Sequence, residues 1–267
     1  MPNNKRQHYV PKSTLRRFAC DPDRKPESRQ INLVNISRSK IIRSASLKEQ
    51  CYRDYFYSQK TAVEIQLSSL EGVYSALTRK MIQSESIDDR DGWHIVQMVA
   101  LQKGRTLRAE EEINGMMEKL IKLMMYNRID ESALRFMRIK MSGTAHLNVG
   151  QSLIMSPMLL DLRRFLIKNR TKVPFVISDN PVVATNWFCR LRHSDRIGGL
   201  SRSGLQLLMP LSPRFALLMH DTGTYSAEND NNVISLKRPD DVHSLNELQW
   251  LNAYRNIYFP PTFNDDV

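Results

Sequence analysis

The chain has 267 residues, 41% hydrophobic and 25% charged, enough to bury a sizeable core in one large domain or two small ones. No apolar run approaches the roughly 20 residues that cross a membrane, and the basic start MPNNKRQHYVPKSTLRRF lacks the apolar stretch of a signal peptide. Three isolated cysteines, Cys20, Cys51 and Cys189, set aside a disulfide framework and a cysteine-rich zinc site, point to a reducing cytoplasm, and leave the formal charge of +11 as the feature to explain.

In chain order, a turn leads into one or two helical turns over Ser13–Ala19, and the Pro- and Asp-rich DPDRKPES forms a loop. INLVN and KIIRS, two β-branched runs separated by ISRS, predict a hairpin. From Thr61 to Gln83 the apolar residues Val63, Leu67, Leu70, Tyr74, Leu77 and Met81 recur at steps of three and four, an amphipathic helix. A second helix from Trp93 is apolar on most sides and belongs at the centre. A third carries Ile113, Met116, Met117, Leu120 and Met124 on one face, with the methionines expected as core filler. Two more helices are expected at Glu131–Met141 and Ser152–Ile167, with Pro157 early in the second or marking its start.

After Lys172 the pattern turns to strands: VPFVIS, LQLLMPL and FALLMH are short apolar runs between Pro, Gly and Asn. Between them lies the basic loop WFCRLRHSDRIGGLSRSG. A last helix fits Val242–Tyr254, with Asp240 or Asp241 as N-cap. The expectation is a single α+β domain over 1–267: an N-terminal hairpin, a helical middle at about 61–169, short strands at about 172–236 and a helix at about 242–254.

The charge is uneven. Residues 1–50 carry twelve Lys and Arg against four Asp and Glu, and residues 151–200 carry eight against three, while the other blocks nearly cancel. Two basic regions suggest an anionic partner, nucleic acid first, although a solvated surface accounts for the same composition. GxxxxGK[ST], HExxH, GxSxG and paired metal-ligand histidines are all absent, which removes P-loop, zincin and α/β-hydrolase chemistry.

Three sets of polar residues remain. His8-Tyr9-Val10-Pro11 is a stiff lead-in to a helix, because Pro11 holds Val10 extended; His8 suits proton transfer, and the same segment suits a strap packing Tyr9, Leu15 and Phe18. In FVISDNP a buried strand ends in Ser178, Asp179, Asn180 and Pro181. Asp179 there reads as a general base or metal ligand, or as plain turn chemistry. Gln102, Arg105, Glu71, Asn246 and Gln249 sit on otherwise apolar helix faces, where polar groups brace loops or line a cavity.

HYVPKSTLRRF, YFYS…LSSLEG, QKGR, FVISDNPVV, MPLSP and NELQWLNAYRN together resemble the bacterial family catalogued as domain of unknown function 4238, from about His8 to Tyr258. The resemblance implies His8, Tyr9, Pro11, Glu71, Arg105, Ser178, Asp179, Asn180, Pro181, Asn246 and Gln249 as the family's positions, and a bacterial or phage-related, often defence-associated setting. Members carry Gln where this chain has Lys12, so no role passes to that position. The resemblance supplies no activity.

Two functions lead, with an enzyme acting on a nucleotide or other small anionic substrate as a weaker third. One is a toxin-like or antiviral nuclease or phosphodiesterase acting on RNA rather than DNA. It would use His8, Glu71, Arg105, Asp179 and Gln249 for chemistry, and Tyr9, Arg16, Arg17, Gln102, Ser178, Asn180, Arg190, Arg192 and Asn246 for substrate. Thin acidic inventory makes it metal-independent or dependent on one divalent metal, with no other cofactor. The other is a non-catalytic module binding nucleic acid or protein, with the motifs as braces. A single site requires the five catalytic candidates to converge on one cleft with loop 190–202 at its rim; bracing requires each to pair locally with backbone.

Overall fold

In the computed structural model, which describes residues 5–57, 61–126, 128–141, 143–187 and 201–262, pairing begins almost at once. Strand β1 (Arg6–His8) runs into the one-turn helix α1 (Lys12–Leu15) and a 3-10 turn, Arg16–Phe18. The expected hairpin follows as β2 (Gln30–Asn35) and β3 (Lys40–Ser46), and β4 (Tyr52–Asp54) returns to pair antiparallel with β1, His8 opposite Tyr52.

The middle is helical. In α2 (Thr61–Ser84), Leu67, Tyr74, Leu77 and Met81 are buried, as their spacing predicts. Helix α3 (Gly92–Gly104) is central, burying Ile95, Val96, Met98, Val99, Ala100 and Leu101 on several sides. It is followed by α4 (Leu107–Met125), α5 (Glu131–Phe136) and α6 (Thr144–Met155). The methionines of α4 are not core filler: Met116 and Met124 are exposed, because the helix leans on the body through Leu107, Glu110 and Asn114 instead.

The helix expected over Ser152–Ile167 is two elements of different kind. Helix α6 ends at Met155, Ser156–Leu159 forms a 3-10 turn around Pro157, which has no N–H for the ladder, and Arg163–Asn169 is strand β5. Strand β5 is paired on both edges and buried on both faces, so its apolar run carries no alternation to separate it from a buried helix. Helix α5 likewise stops at Phe136 rather than Met141, where Met137 turns extended.

The remaining elements are β6 (Ile177–Ser178), β7 (Val183–Thr185), β8 (Gln206–Ser212), β9 (Phe215–His220), β10 (Val233–Leu236), α7 (Pro239–Asn252) and β11 (Asn256–Phe259). Of VPFVIS only the last two residues pair as strand. Helix α7 has Arg238 at its N-cap and Pro239 first, which puts Asp240 and Asp241 in the first turn rather than at the cap, still favourably placed toward the helix dipole.

The strands form three sheets: β1-β4; β3-β2-β11-β6; and β10-β5-β9-β8-β7, whose β5–β10 pair is parallel. Pro210 sits where the β8–β9 register shifts, a position that tolerates a missing N–H. The chain is a single α+β domain in which the N-terminal strap, α2, α3 and the inner strand faces share one large core, while α7 covers a smaller cluster around Ile167, Phe175 and Val242. Among the described residues no helix is long and apolar enough to cross a membrane.

Candidate functional site

The N-terminal motif is built by pairing. Tyr9 N donates to Cys51 O at 2.8 Å, extending the β1–β4 register, and Pro11 opens α1 with φ −56° and ψ 139°. Gln7, on the buried side of β1, accepts from Tyr57 N at 2.7 Å and so fixes Tyr57 against the strap. The HYVP segment is thus a buried strap on one side. On the other, His8 looks onto a cleft.

Arg105 secures that arrangement from behind. It sits just past α3 and is only 2% exposed. Its Nε donates to Tyr57 Oη at 2.9 Å, and its Nη2 donates to His8 O at 2.7 Å and to Glu71 Oε1 at 2.6 Å. Burial alone would lower its pKa; Tyr57 and Glu71 outweigh that and keep the guanidinium charged. Burial pushes the Tyr57 phenol up to about 12, with Arg105 opposing. Gln102, one turn earlier, donates to Tyr9 O at 3.1 Å. These contacts explain why polar residues occupy a helix that is otherwise apolar.

His8, Lys12, Ser13, Glu64, Ser68, Glu71, Gly72 and Ser75 line an open cleft of about 400 Å³. His8 Nε2 lies 3.2 Å from Lys48 O. A carbonyl only accepts, so the proton belongs on Nε2 and the lone pair on Nδ1. The imidazole is pushed down to about 4, by burial first and then by the Lys12 ammonium, with the Lys48 carbonyl pulling the other way. It is therefore neutral at pH 7. Arg17 lines a small cavity next to this cleft that shares Ser13, Glu71 and Ser75 with it; its Nη2 donates to Ser75 O at 3.3 Å, and its guanidinium is pushed down to about 10 by burial, then by Arg79 and Arg16. Arg16 itself donates to Pro22 O at 2.7 Å. Its Nη2 also pairs with Asp23 Oδ1 at 3.5 Å, so Arg16 already has an acidic partner.

The second motif set forms a different structure. Asp179, 1% exposed, accepts from Tyr254 N at 2.8 Å on Oδ1 and from Arg255 N and Asn256 N at 2.9 and 3.2 Å on Oδ2. Burial raises its pKa and the three amides act against that. Gln249 Oε1 accepts from Ser178 N and Oγ at 3.0 and 2.9 Å, and its Nε2 donates to Pro181 O at 3.0 Å. Asn246 accepts from Val176 N and donates to Pro174 O, both at 3.0 Å. Asn180 and Asn252 exchange side-chain-to-carbonyl bonds at 3.1 and 2.6 Å. Together these side chains stitch the irregular 174–182 segment onto α7, supplying by side chain the bonds that a two-residue strand leaves unmade.

The five catalytic candidates therefore do not share one cleft. His8, Glu71 and Arg105 come together, with Tyr9 and Gln102 behind them and Arg17 bonded to Ser75 of the same α2 wall, while Arg16 turns to Pro22 and Asp23. Asp179 and Gln249 are enclosed with Ser178, Asn180 and Asn246, their polar atoms spent on backbone and on neighbouring side chains. Thr106 connects the groups: it caps α4 by accepting from Ala109 N at 3.2 Å and donates to Asn180 Oδ1 at 2.9 Å. Arg190 and Arg192, with most of loop 190–202, lie outside the described residues. Among the described residues no three His, Cys, Asp or Glu side chains gather as metal ligands.

Sequence reasoning missed Lys12, Tyr57, Arg79, Thr106 and Asn252. For the cleft wall a signal was present: Glu64, Ser68, Glu71, Ser75 and Arg79 recur at helical spacing on α2, a polar stripe beside the apolar one.

No curated protein and no solved structure shows a significant match to the chain. A family model described as protein of unknown function (DUF4238) matches residues 6–263, which takes in the strap, the cleft and the α7 brace alike. The chain belongs to that family.

Proposed function

We propose that this protein binds RNA along the α1–α2 rim and cleaves its backbone at the His8 cleft. The observation that carries this reading is geometric: His8 and Lys12 share an open cleft, and Arg17, crowded by Arg79 and Arg16, hydrogen-bonds Ser75 of the same α2 wall. Like charges held together cost free energy that an anion offsets, and a phosphate chain is the anion that spans such a rim. In the proposed step His8 Nδ1 takes the proton of a ribose 2′-hydroxyl, the 2′-oxygen forms a bond to the adjacent phosphorus, and the bond to the 5′-oxygen breaks, that oxygen taking a proton from solvent. Lys12 faces the charge that develops on the phosphate. Phosphate beside His8 offsets the influence of Lys12 and lifts the imidazole from about 4 toward the range where it is an effective base. Arg105, being enclosed, positions His8 and Glu71 rather than touching substrate. Because the nucleophile is a 2′-hydroxyl, DNA is bound but not cut.

A second reading, a module that binds nucleic acid without cutting it, is favoured by the brace: Asp179, Asn246 and Gln249 are fully accounted for by backbone partners. The two readings separate on incubation of the protein with labelled single-stranded RNA and DNA at low salt, with and without chelator, beside His8→Ala. Cleavage of RNA alone, lost in His8→Ala with binding retained, supports the first; tight binding with both strands intact supports the second; no binding at low salt sinks both.

A further inference from the structure

Helix α4 carries more apolar surface than the body of the protein covers. Beside its buried flank, Ala109, Ile113, Met116, Leu120 and Leu123 recur at alternating steps of four and three, with Met117 and Met124 alongside. This is the seam of a coiled coil. Scattered exposed apolar side chains are ordinary, whereas a sustained seam marks an interface. Met116, Leu123 and Met124 are 58%, 74% and 70% exposed.

The two halves of the seam have different surroundings. Ala109, Ile113 and Met116 face α6 across an open groove of about 320 Å³ that Val99 and Leu159 also line, with Lys103, Glu112 and Gln151 as its polar members. Leu120, Leu123 and Met124 lie outside that groove and in solvent. One half is a socket and the other a plug.

We propose that two copies of this chain pair through α4, antiparallel about a two-fold axis between Asn114 and Gly115, so that each plug fills the other copy's socket. The register follows from the spacing. Alternate seam positions share a layer in an antiparallel pair, so Ile113 lies opposite Met116 and Ala109 opposite Leu120, each pair occurring twice. The flanking charges agree. In an antiparallel pair the residues just before each first seam position face one another, which sets the exposed Glu112 of one copy against the exposed Lys119 of the other, again twice. A parallel pair would set Glu112 and Lys119 against Met117 and Met124, with no charge met. Within one copy Glu112 pairs with Arg108, 3.1 Å away on the same exposed face, a contact that exchanges at little cost, and it also acts on Lys103 across the groove.

Sedimentation of the full chain with a light-scattering check of mass tests this. The parent is expected to be a dimer, and Leu123→Glu or Met116→Glu to weaken it by about a hundredfold or more, since each buries an unpaired charge. Glu112→Lys and Lys119→Glu should each weaken the dimer several-fold, and the two together should restore it, a recovery that misfolding cannot imitate. A parent that is monomeric at about 100 μM, a dimer indifferent to Leu123→Glu, or a double exchange no better than either single one overturns the proposal. Monomeric protein that co-purifies with an amphiphile in the groove overturns it too.

Discussion

At the scale of single residues, His8 and Gln249 show how similar-looking motif positions come to do different work. Gln249 is enclosed and spends its amide on Ser178 and Pro181. Gln249→Ala strands two donors and one acceptor, so unfolding in urea should show a loss of about 3 kcal/mol, with the proposed RNA cleavage expected unchanged from the parent wherever the variant remains folded. His8 behaves differently because its pKa is lowered in the fold. The unfolded chain takes up the His8 proton near pH 6.5 while the folded chain resists until about 4, so between these values stability rises with pH and is lost on acidification. His8→Gln cannot titrate. Urea titrations at pH 5 and pH 7 should therefore differ less for His8→Gln than for the parent; an unchanged difference would show that His8 is not the group responsible. The same lowering predicts that kcat/KM for RNA rises through about pH 4 and is flat from there to neutrality.

Elements bring a different constraint, close approach. Gly104 ends α3 against α6, where a Cβ would stand 1.8 Å from Ser152 Oγ, 2.7 Å from Ser152 Cβ and 3.0 Å from Asn148 O. Gly104→Ala should therefore destabilise the protein by about 2–3 kcal/mol, and Ser152→Gly should recover part of the loss in the double variant, as thermal unfolding would register. What the sequence made legible at this scale follows from periodicity. Helix α2 and the β2–β3 hairpin were readable because one face of each is apolar and the other polar or turn-like. Strand β5 was not, since Phe165, Leu166 and Ile167 are all buried and an apolar triplet fits a core helix equally well. The α4 methionines misled for a related reason: an amphipathic stripe says that a face wants cover, and does not say whether this chain or another supplies it. Of the site, His8, Glu71 and Arg105 were legible as polar residues in apolar settings. Asp179 was legible as important, yet sequence does not distinguish a carboxylate free to react from one that holds three amides, because its partners at 254–256 are 75 or more positions away.

For the whole molecule, the uneven charge and the divided motif set meet in one account. The brace fixes the 174–182 segment on α7, Thr106 links that segment to the end of α3, and Arg105 next to it holds the strap that presents His8. Lys12 in the cleft and Arg17 on its α2 wall then accompany an imidazole held in one tautomer. Binding should weaken steeply with added salt, as released counterions require, and Arg16→Ala with Arg17→Ala should lower both the affinity and the slope of that dependence, measured by anisotropy of a labelled RNA. The most direct test of the central claim is cleavage of one RNA against the same strand bearing a single 2′-deoxy position, in chelator, by parent and His8→Ala. The account predicts that the parent cuts the RNA everywhere except at the deoxy position and that His8→Ala binds both strands and cuts neither; cutting at the deoxy position, or undiminished cutting by His8→Ala, would contradict it.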